Sequence, residues 1–100
     1  RTPPMAAYVI AQIDITDPET FKEYQALVPA TIAAYGGEYI VRGGEQVALE
    51  GVAPSSRTVV LRFPDMAAAK AWHASPEYEK PLAIRMASAK GTLFVVDGVG

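Results

Sequence analysis

Apolar residues occupy both alternating rows of the predicted β-strands, and this pattern restricts the folds open to the chain. In residues 57–63 (RTVVLRF), Val59 and Leu61 lie on one row, whereas Val60 lies on the other. Residues 92–96 (TLFVV) show the same two-sided pattern. Because alternate side chains of a strand point to opposite faces, we expect both faces of the sheet to be at least partly apolar. Each face therefore needs a cover, from helices or from another sheet.

The first strand is predicted at residues 7–15 (AYVIAQIDI), and a helix is predicted directly after it. Asp17 can cap this helix and Pro18 suits its first position. Pro29 is expected to kink the helix or to divide it in two, because proline cannot donate the helical hydrogen bond. The pair Gly36-Gly37 predicts the end of the helix.

The rest of the chain alternates strands and helices. Ser75-Pro76 repeats the combination of a capping residue and a proline, and Gly91 is expected to end the helix that follows. Further strands are predicted at 38–42, at 46–50 as its hairpin partner or continuation after the turn Gly43-Gly44, at 57–63 and at 92–96, and further helices at 66–75 and from 76 to Gly91.

The order of elements, β-α-β-(β)-β-α-α-β, predicts the α+β class. Within that class it favours the ferredoxin-like plait, an antiparallel sheet with helices on one face. A chain of 100 residues fits one domain, which we assign to residues 5–100. Arg1 to Pro4 precede Met5 and are expected to be residues added before the natural start.

The face without helices is predicted to be covered by a second copy of the chain. The alternative is that the last strand and the hairpin wrap over this face within one subunit. Asp14 and Arg62 are expected to pair across neighbouring strands and so to fix the register of the dimer. The residues predicted for the dimer interface are Tyr8, Ile10, Gln12, Asp14, Val60 and Arg62.

Composition excludes several classes of partner. The formal net charge of -2 provides no basic stripe for nucleic acid. No apolar run approaches the roughly 20 residues of a membrane span. Cysteine is absent, which excludes disulfides and thiolate metal sites and fits a cytoplasmic location. His73 is the only histidine, so we expect no metal site, and we expect no cofactor.

Three segments carry a resemblance to a known family: YVIAQIDITDPETFKEY, AAYGGEYIVRGG and RTVVLRFPDMAAAKAWHASPEY. Over about Tyr8 to Gly98, the chain resembles the domain-of-unknown-function family 1330. This resemblance implies a dimeric α/β barrel, in which two ferredoxin-like subunits pack sheet to sheet. It implies no reaction. Related barrel families include small monooxygenases, dehydratases and lactone isomerases, so any activity comes from analogy alone.

Arg85 is the first candidate for a binding site. Helical spacing puts it on one stripe with Tyr78, Leu82 and Ala89, on the side that should face the sheet. A buried guanidinium has to be paired, and its planar fork suits a carboxylate of the protein or of a ligand. The other interpretation is an arginine whose stem packs while its head reaches water.

Four more residues are candidates for the same pocket. Arg42 follows a strand next to glycines, where backbone amides could approach an anion, or it is simply exposed in a hairpin. Tyr24 and Tyr78 either fill the core or line a pocket beside Arg85. His73 is the catalytic candidate as a general acid or base, with a packed structural histidine as the alternative.

Three functions stay open at the level of sequence. The first is a homodimer that binds a small anionic or carbonyl-bearing organic molecule beneath its helices. The second is a cofactor-free enzyme of the monooxygenase, dehydratase or isomerase type. The third is a structural or regulatory dimer without a ligand.

Overall fold

The computed structural model describes residues 6–52 and 56–99. The elements are β1 (Ala7–Ile15), α1 (Pro18–Ala34), β2 (Glu38–Arg42), β3 (Arg57–Phe63), α2 (Met66–His73), α3 (Pro76–Ser88) and β4 (Ala89–Asp97). The predicted α+β class and ferredoxin-like plait are confirmed. The segment 1–4, predicted to be an addition, lies outside the described residues.

The strands form one antiparallel sheet in the order β2-β3-β1-β4. Val9 of β1 lies opposite Leu61 of β3 and Val95 of β4, so matching rows of the strands face the same side. The row that contains Val9 is buried against the helices, together with Trp72 of α2 and Tyr78 of α3. Among the described residues, no helix is long and apolar enough to cross a membrane.

Side-chain caps set the start of the three helices in the described part of the chain, as predicted for Asp17 and Ser75. Asp17, Asp65 and Ser75 each accept a hydrogen bond from the backbone N–H three residues later, at 3.3, 2.8 and 3.2 Å. These bonds satisfy amides that have no partner inside the helix. Local sequence therefore determines where the chain turns from strand into helix.

Helix α1 runs without interruption past Pro29, so the expected division into two helices does not occur. A proline withholds one backbone hydrogen bond, and the loss of that single bond does not end a helix whose apolar stripe is buried on both sides of it. The helix ends where predicted. Gly36 has φ +77°, and the Gly37 N–H donates to the Ile32 carbonyl at 2.9 Å, which is the Schellman arrangement.

Residues 46–50 form no strand, so the predicted hairpin partner is absent. The alternation of Val47 and Leu49 suggested a strand, but these side chains are 70% and 91% exposed. No sheet face is available for them to cover. The side chain of Gln46 holds the segment against β3 instead, and its Nε2 donates to the Ser56 carbonyl at 2.9 Å.

Strand β4 begins at Ala89, three residues before the predicted start, and α3 ends at Ser88 rather than at Gly91. Gly91 belongs to the strand and lies opposite Ile13. Its φ is +153°, and a Cβ at this position would collide with the backbone carbonyl of Gln12. The glycine therefore allows two strands to approach closely and does not terminate a helix.

The sheet face away from the helices is partly apolar and open, as predicted. Phe94 and Val96 of β4 are 51% and 44% exposed on this face. The six residues predicted for a dimer interface occupy strand positions that alternate with the buried row, and so lie on the open face: Tyr8, Ile10, Gln12, Asp14, Val60 and Arg62.

The expected ion pair between Asp14 and Arg62 does not form. Arg62 lies opposite Tyr8, near the other end of β1 from Asp14, whereas Asp14 lies opposite Lys90. Arg62 instead pairs with Glu38 of β2, with 3.3 Å between Nη1 and Oε1. The antiparallel register separates the two predicted partners within the subunit, so the predicted pairing across neighbouring strands is wrong.

Candidate functional site

A cavity of about 310 Å³ lies between α1 and the sheet. Its volume is at the small end of the range for ligand pockets, about 300–1,000 Å³. The lining side chains are mostly apolar, with a few polar ones: Val9, Ala11, Ile13, Phe21, Tyr24, Gln25, Val28, Ile32, Tyr39, Arg42, Arg57, Val59, Leu61, Trp72 and Leu93.

Two arginines supply the only charges in this lining, as far as the described residues show. The Arg57 side chain packs against Gly43, where a Cβ would lie 2.7 Å from the guanidinium carbon. Its Nη2 donates to the Arg42 backbone carbonyl at 3.4 Å, but its Nε is buried without a hydrogen-bond partner. A buried donor of this kind is costly unless an acceptor is supplied.

Arg42 and Tyr39 reach the same cavity because β2 contains a bulge. Tyr39 pairs with Leu61, but Val41 pairs with Val60 and Arg42 with Val59, so Ile40 is an extra residue in the ladder. The guanidinium carbon of Arg42 lies 4.2 Å from the centre of the Tyr39 ring, within range of a cation–π contact.

The environment of Tyr39 reports on the electrostatics of the cavity. Burial raises the pKa of the Tyr39 phenol above its usual value, and the charges of Arg42 and Arg57 act in the opposite direction. The phenol is therefore a neutral hydrogen-bonding group at physiological pH. Positive charge and neutral hydroxyl thus lie together at one part of an otherwise apolar cavity.

A buried pair of tyrosines adjoins the cavity. The hydroxyls of Tyr24 on α1 and Tyr78 on α3 lie 2.9 Å apart, and Tyr78 is fully buried. Burial is the main reason that the pKa of Tyr24 is strongly raised, and the neighbouring Tyr78 adds to it. Trp72 completes the wall and donates from Nε1 to the Thr31 hydroxyl at 3.1 Å. These groups hold the wall rigid and uncharged.

The residues predicted to share one pocket lie in different places. Arg42 and Tyr24 line the cavity, and Tyr78 lies behind Tyr24 without lining it. Arg85 and His73 line a separate, more open cleft. His73 is exposed, and its ring lies 5.6 Å from that of Tyr78. Of the five residues predicted for one pocket, two line the cavity, two line the cleft and Tyr78 lines neither.

Arg57 and Tyr39 were not among the candidates from the sequence. Arg57 falls two residues before Val59 on the row that faces the helices, so strand alternation could have identified it. Tyr39 and Arg42 are three residues apart, and a regular strand would put them on opposite faces. Only the bulge reveals that they share a side.

No group of three His, Asp or Glu side chains is arranged to hold a metal within residues 6–52 and 56–99. The arrangement can bind an anionic group at the arginines, hold an apolar body between α1 and the sheet, and donate hydrogen bonds from neutral tyrosines.

The fold is shared with several solved structures of low sequence identity. A protein of unknown function from Rhodopseudomonas palustris is 14% identical, with a TM-score of 0.77 over 96% of this chain and 84% of that chain. A dimeric ferredoxin-like protein of unknown function from Jannaschia sp. is 17% identical, with a TM-score of 0.66 over 95% and 99%. SnoaB, a cofactor-independent oxygenase from Streptomyces nogalater, is 14% identical, with a TM-score of 0.63 over 96% and 95%.

At these identities the likeness shows the fold and nothing more about activity. No curated protein matches the sequence. A family model does match, over residues 6–99, which is nearly the whole chain. The chain therefore belongs to the family described as Domain of unknown function (DUF1330).

Proposed function

We propose that the chain binds a small organic anion with an apolar body in the cavity between α1 and the sheet. The observation that carries this proposal is the buried Nε of Arg57, which has no hydrogen-bond partner next to an apolar cavity. A carboxylate that contacts the Arg57 guanidinium from the cavity offsets the charge of both arginines. The walls suit an aromatic or branched aliphatic group.

The neutral state of Tyr39 and Tyr24 supports a carboxylate or carbonyl group over a cationic one. Both phenols have raised pKa values, so they can donate hydrogen bonds to a ligand oxygen without repelling it. A cationic ligand would meet Arg42 and Arg57 with no acidic side chain among the described lining residues. The charge of the cavity therefore selects the charge of the ligand.

The test compares phenylacetate with phenylacetamide, which has nearly the same shape but no charge, by isothermal titration calorimetry. Loss of a charge-assisted hydrogen bond costs about 1.5–3 kcal/mol, so the amide should bind roughly ten- to a hundredfold more weakly. Arg57→Gln should weaken phenylacetate binding by a similar factor. Arg62→Gln, on the open face, should leave the affinity unchanged. Equal affinities for the acid and the amide in the wild type would contradict the proposal.

The working form of the chain is proposed to be a homodimer formed through the open sheet face. Apolar side chains on that face, including Phe94 and Val96, favour a cover from a second copy. The Jannaschia protein with the same fold is described as dimeric, which supports the same assembly here.

A cytoplasmic location, expected from the absence of cysteine, stays a prediction.

A cofactor-independent oxygenase is the second candidate function, and the fold shared with SnoaB favours it. The cavity walls of Trp72 and Tyr24 would hold a flat aromatic substrate. The matching reaction converts a phenol to a quinone with one O₂, and one oxygen atom leaves as water. An oxygen electrode tests this with dihydroxyaromatic substrates. Oxygen consumption no faster than that of the Trp72→Ala variant or of the buffer would exclude the reaction for those substrates.

A further inference from the structure

A second, open cleft of about 490 Å³ lies where α3 runs directly into β4. Three of its lining residues are basic, namely Arg85, Lys90 and His73. Neither Asp nor Glu lines the cleft within the described part of the chain. The cleft therefore combines the positive charges of Arg85 on α3 and Lys90 on an edge strand, with the His73 side chain beside them at the end of α2.

Arg85 is the most buried charged residue of this cleft, with 6% of its surface exposed. Its Nε is buried and has no hydrogen-bond partner. No described residue forms an ion pair or a hydrogen bond with its side chain. A guanidinium held in this way has a strong requirement for an acceptor.

The end of α3 does not supply that acceptor. Arg85 lies in the last turn, where the partial negative charge of the helix end favours a cation. Two carbonyls near this helix end, however, are engaged elsewhere. The Ile84 carbonyl accepts from the Ser88 hydroxyl at 2.6 Å, and the Ser88 carbonyl accepts from the backbone N–H groups of Thr16 and Asp17 at 2.8 and 3.0 Å. The charge is stabilised, but the Nε–H stays unpaired.

From these contacts we infer that the Arg85 cleft is a second ligand site, which binds a small oxyanion. The fork of a guanidinium matches two oxygens of a carboxylate or of a phosphate group. Lys90 and His73 add two flexible donors at the margin, and Met86 and Leu93 provide an apolar side. None of the three basic residues lines the cavity between α1 and the sheet, although Leu93 belongs to both linings.

Inorganic phosphate is the probe, titrated at constant ionic strength while the arginine Nε–H signals are followed by NMR. The Arg85 signal is assigned by its loss in Arg85→Lys, a variant that keeps the charge near the helix end. We expect a saturable shift of this signal in the wild type. Phosphate affinity is compared by isothermal titration calorimetry, because Arg85→Lys lacks the signal, and should fall about tenfold or more in Arg85→Lys and a few-fold in Lys90→Met. Arg57→Gln should bind phosphate as the wild type does, which separates this site from the proposed cavity.

A shift that rises linearly without saturation, or an equal shift of the Arg62 signal, would overturn the inference because it would indicate general ion association. Equal phosphate affinity in Arg85→Lys and the wild type would overturn it as well. If Arg85→Lys does not fold, Lys90→Met decides, since Lys90 is exposed and its replacement leaves the helix intact. Unchanged affinity in Lys90→Met then rejects the site. Repeating the titration with acetate distinguishes a carboxylate site from a phosphate site.

Discussion

The hydroxyls of Tyr24 and Tyr78 satisfy each other in the buried layer between α1 and α3. Tyr24→Phe removes one partner and leaves the fully buried Tyr78 hydroxyl without a hydrogen bond. We expect this to lower the free energy of unfolding by about 1–3 kcal/mol, measured by urea denaturation. The double variant Tyr24→Phe/Tyr78→Phe should cost less than the sum of the two single variants, because no orphaned hydroxyl remains.

Tyr35→Phe is the control for this cycle. The Tyr35 hydroxyl donates to the exposed carboxylate of Glu77, so its loss should change the stability by no more than about 0.5 kcal/mol. Additive costs in the Tyr24 and Tyr78 variants would show that the two hydroxyls are not coupled.

The position of a single residue could be predicted from the sequence only where the structure keeps the regular alternation of a strand. Strand alternation places Arg57 on the same row as Val59, and both residues line the cavity. Arg42 was a candidate because of its neighbouring glycines, yet its position depends on the bulge at Ile40. No sequence period encodes a bulge, since the extra residue is defined by the partner strand. Tyr39 could not be found for the same reason.

Elements with local signals were predicted closely, whereas those that depend on distant contacts were not. Each helix start follows from a capping residue, and the α1 end follows from Gly36-Gly37. Residues 46–50 have the alternation of a strand, but their apolar side chains find no sheet face to pack against. Whether such a face exists is decided by the tertiary structure and not by the local sequence. Gly91 was interpreted as a helix stop, although its function depends on the adjacent strand.

Gly91 is predicted to be essential for the pairing of β1 with β4. In Gly91→Ala the new Cβ would collide with the Gln12 carbonyl, and φ +153° is unfavourable for alanine. Strain of this kind costs about 1–3 kcal/mol, so a thermal melt should show a fall of at least about 4 °C. Gly44→Ala is the matched control, because a Cβ there meets nothing within 4 Å. Equal melting temperatures for the two variants would contradict this account of Gly91.

At the scale of the whole molecule, one face of the sheet bounds the cavity and the other carries the proposed dimer interface. Light scattering at micromolar concentration should give the wild type a mass of twice 10.7 kDa. Phe94→Glu places a charge on the proposed interface, where burial without a partner is costly, and should give a monomer. Leu27→Glu, at a 40% exposed position on α1, should stay dimeric.

The same Phe94→Glu variant tests whether ligand binding is independent of dimer formation. Because Phe94 does not line the cavity, the monomer should still bind phenylacetate with an affinity close to that of the wild type. A wild type that is monomeric at micromolar concentration would reject the homodimer itself. A Phe94→Glu monomer that no longer binds phenylacetate would instead show that the partner subunit supports the cavity through the sheet. Ligand binding would then depend on dimer formation.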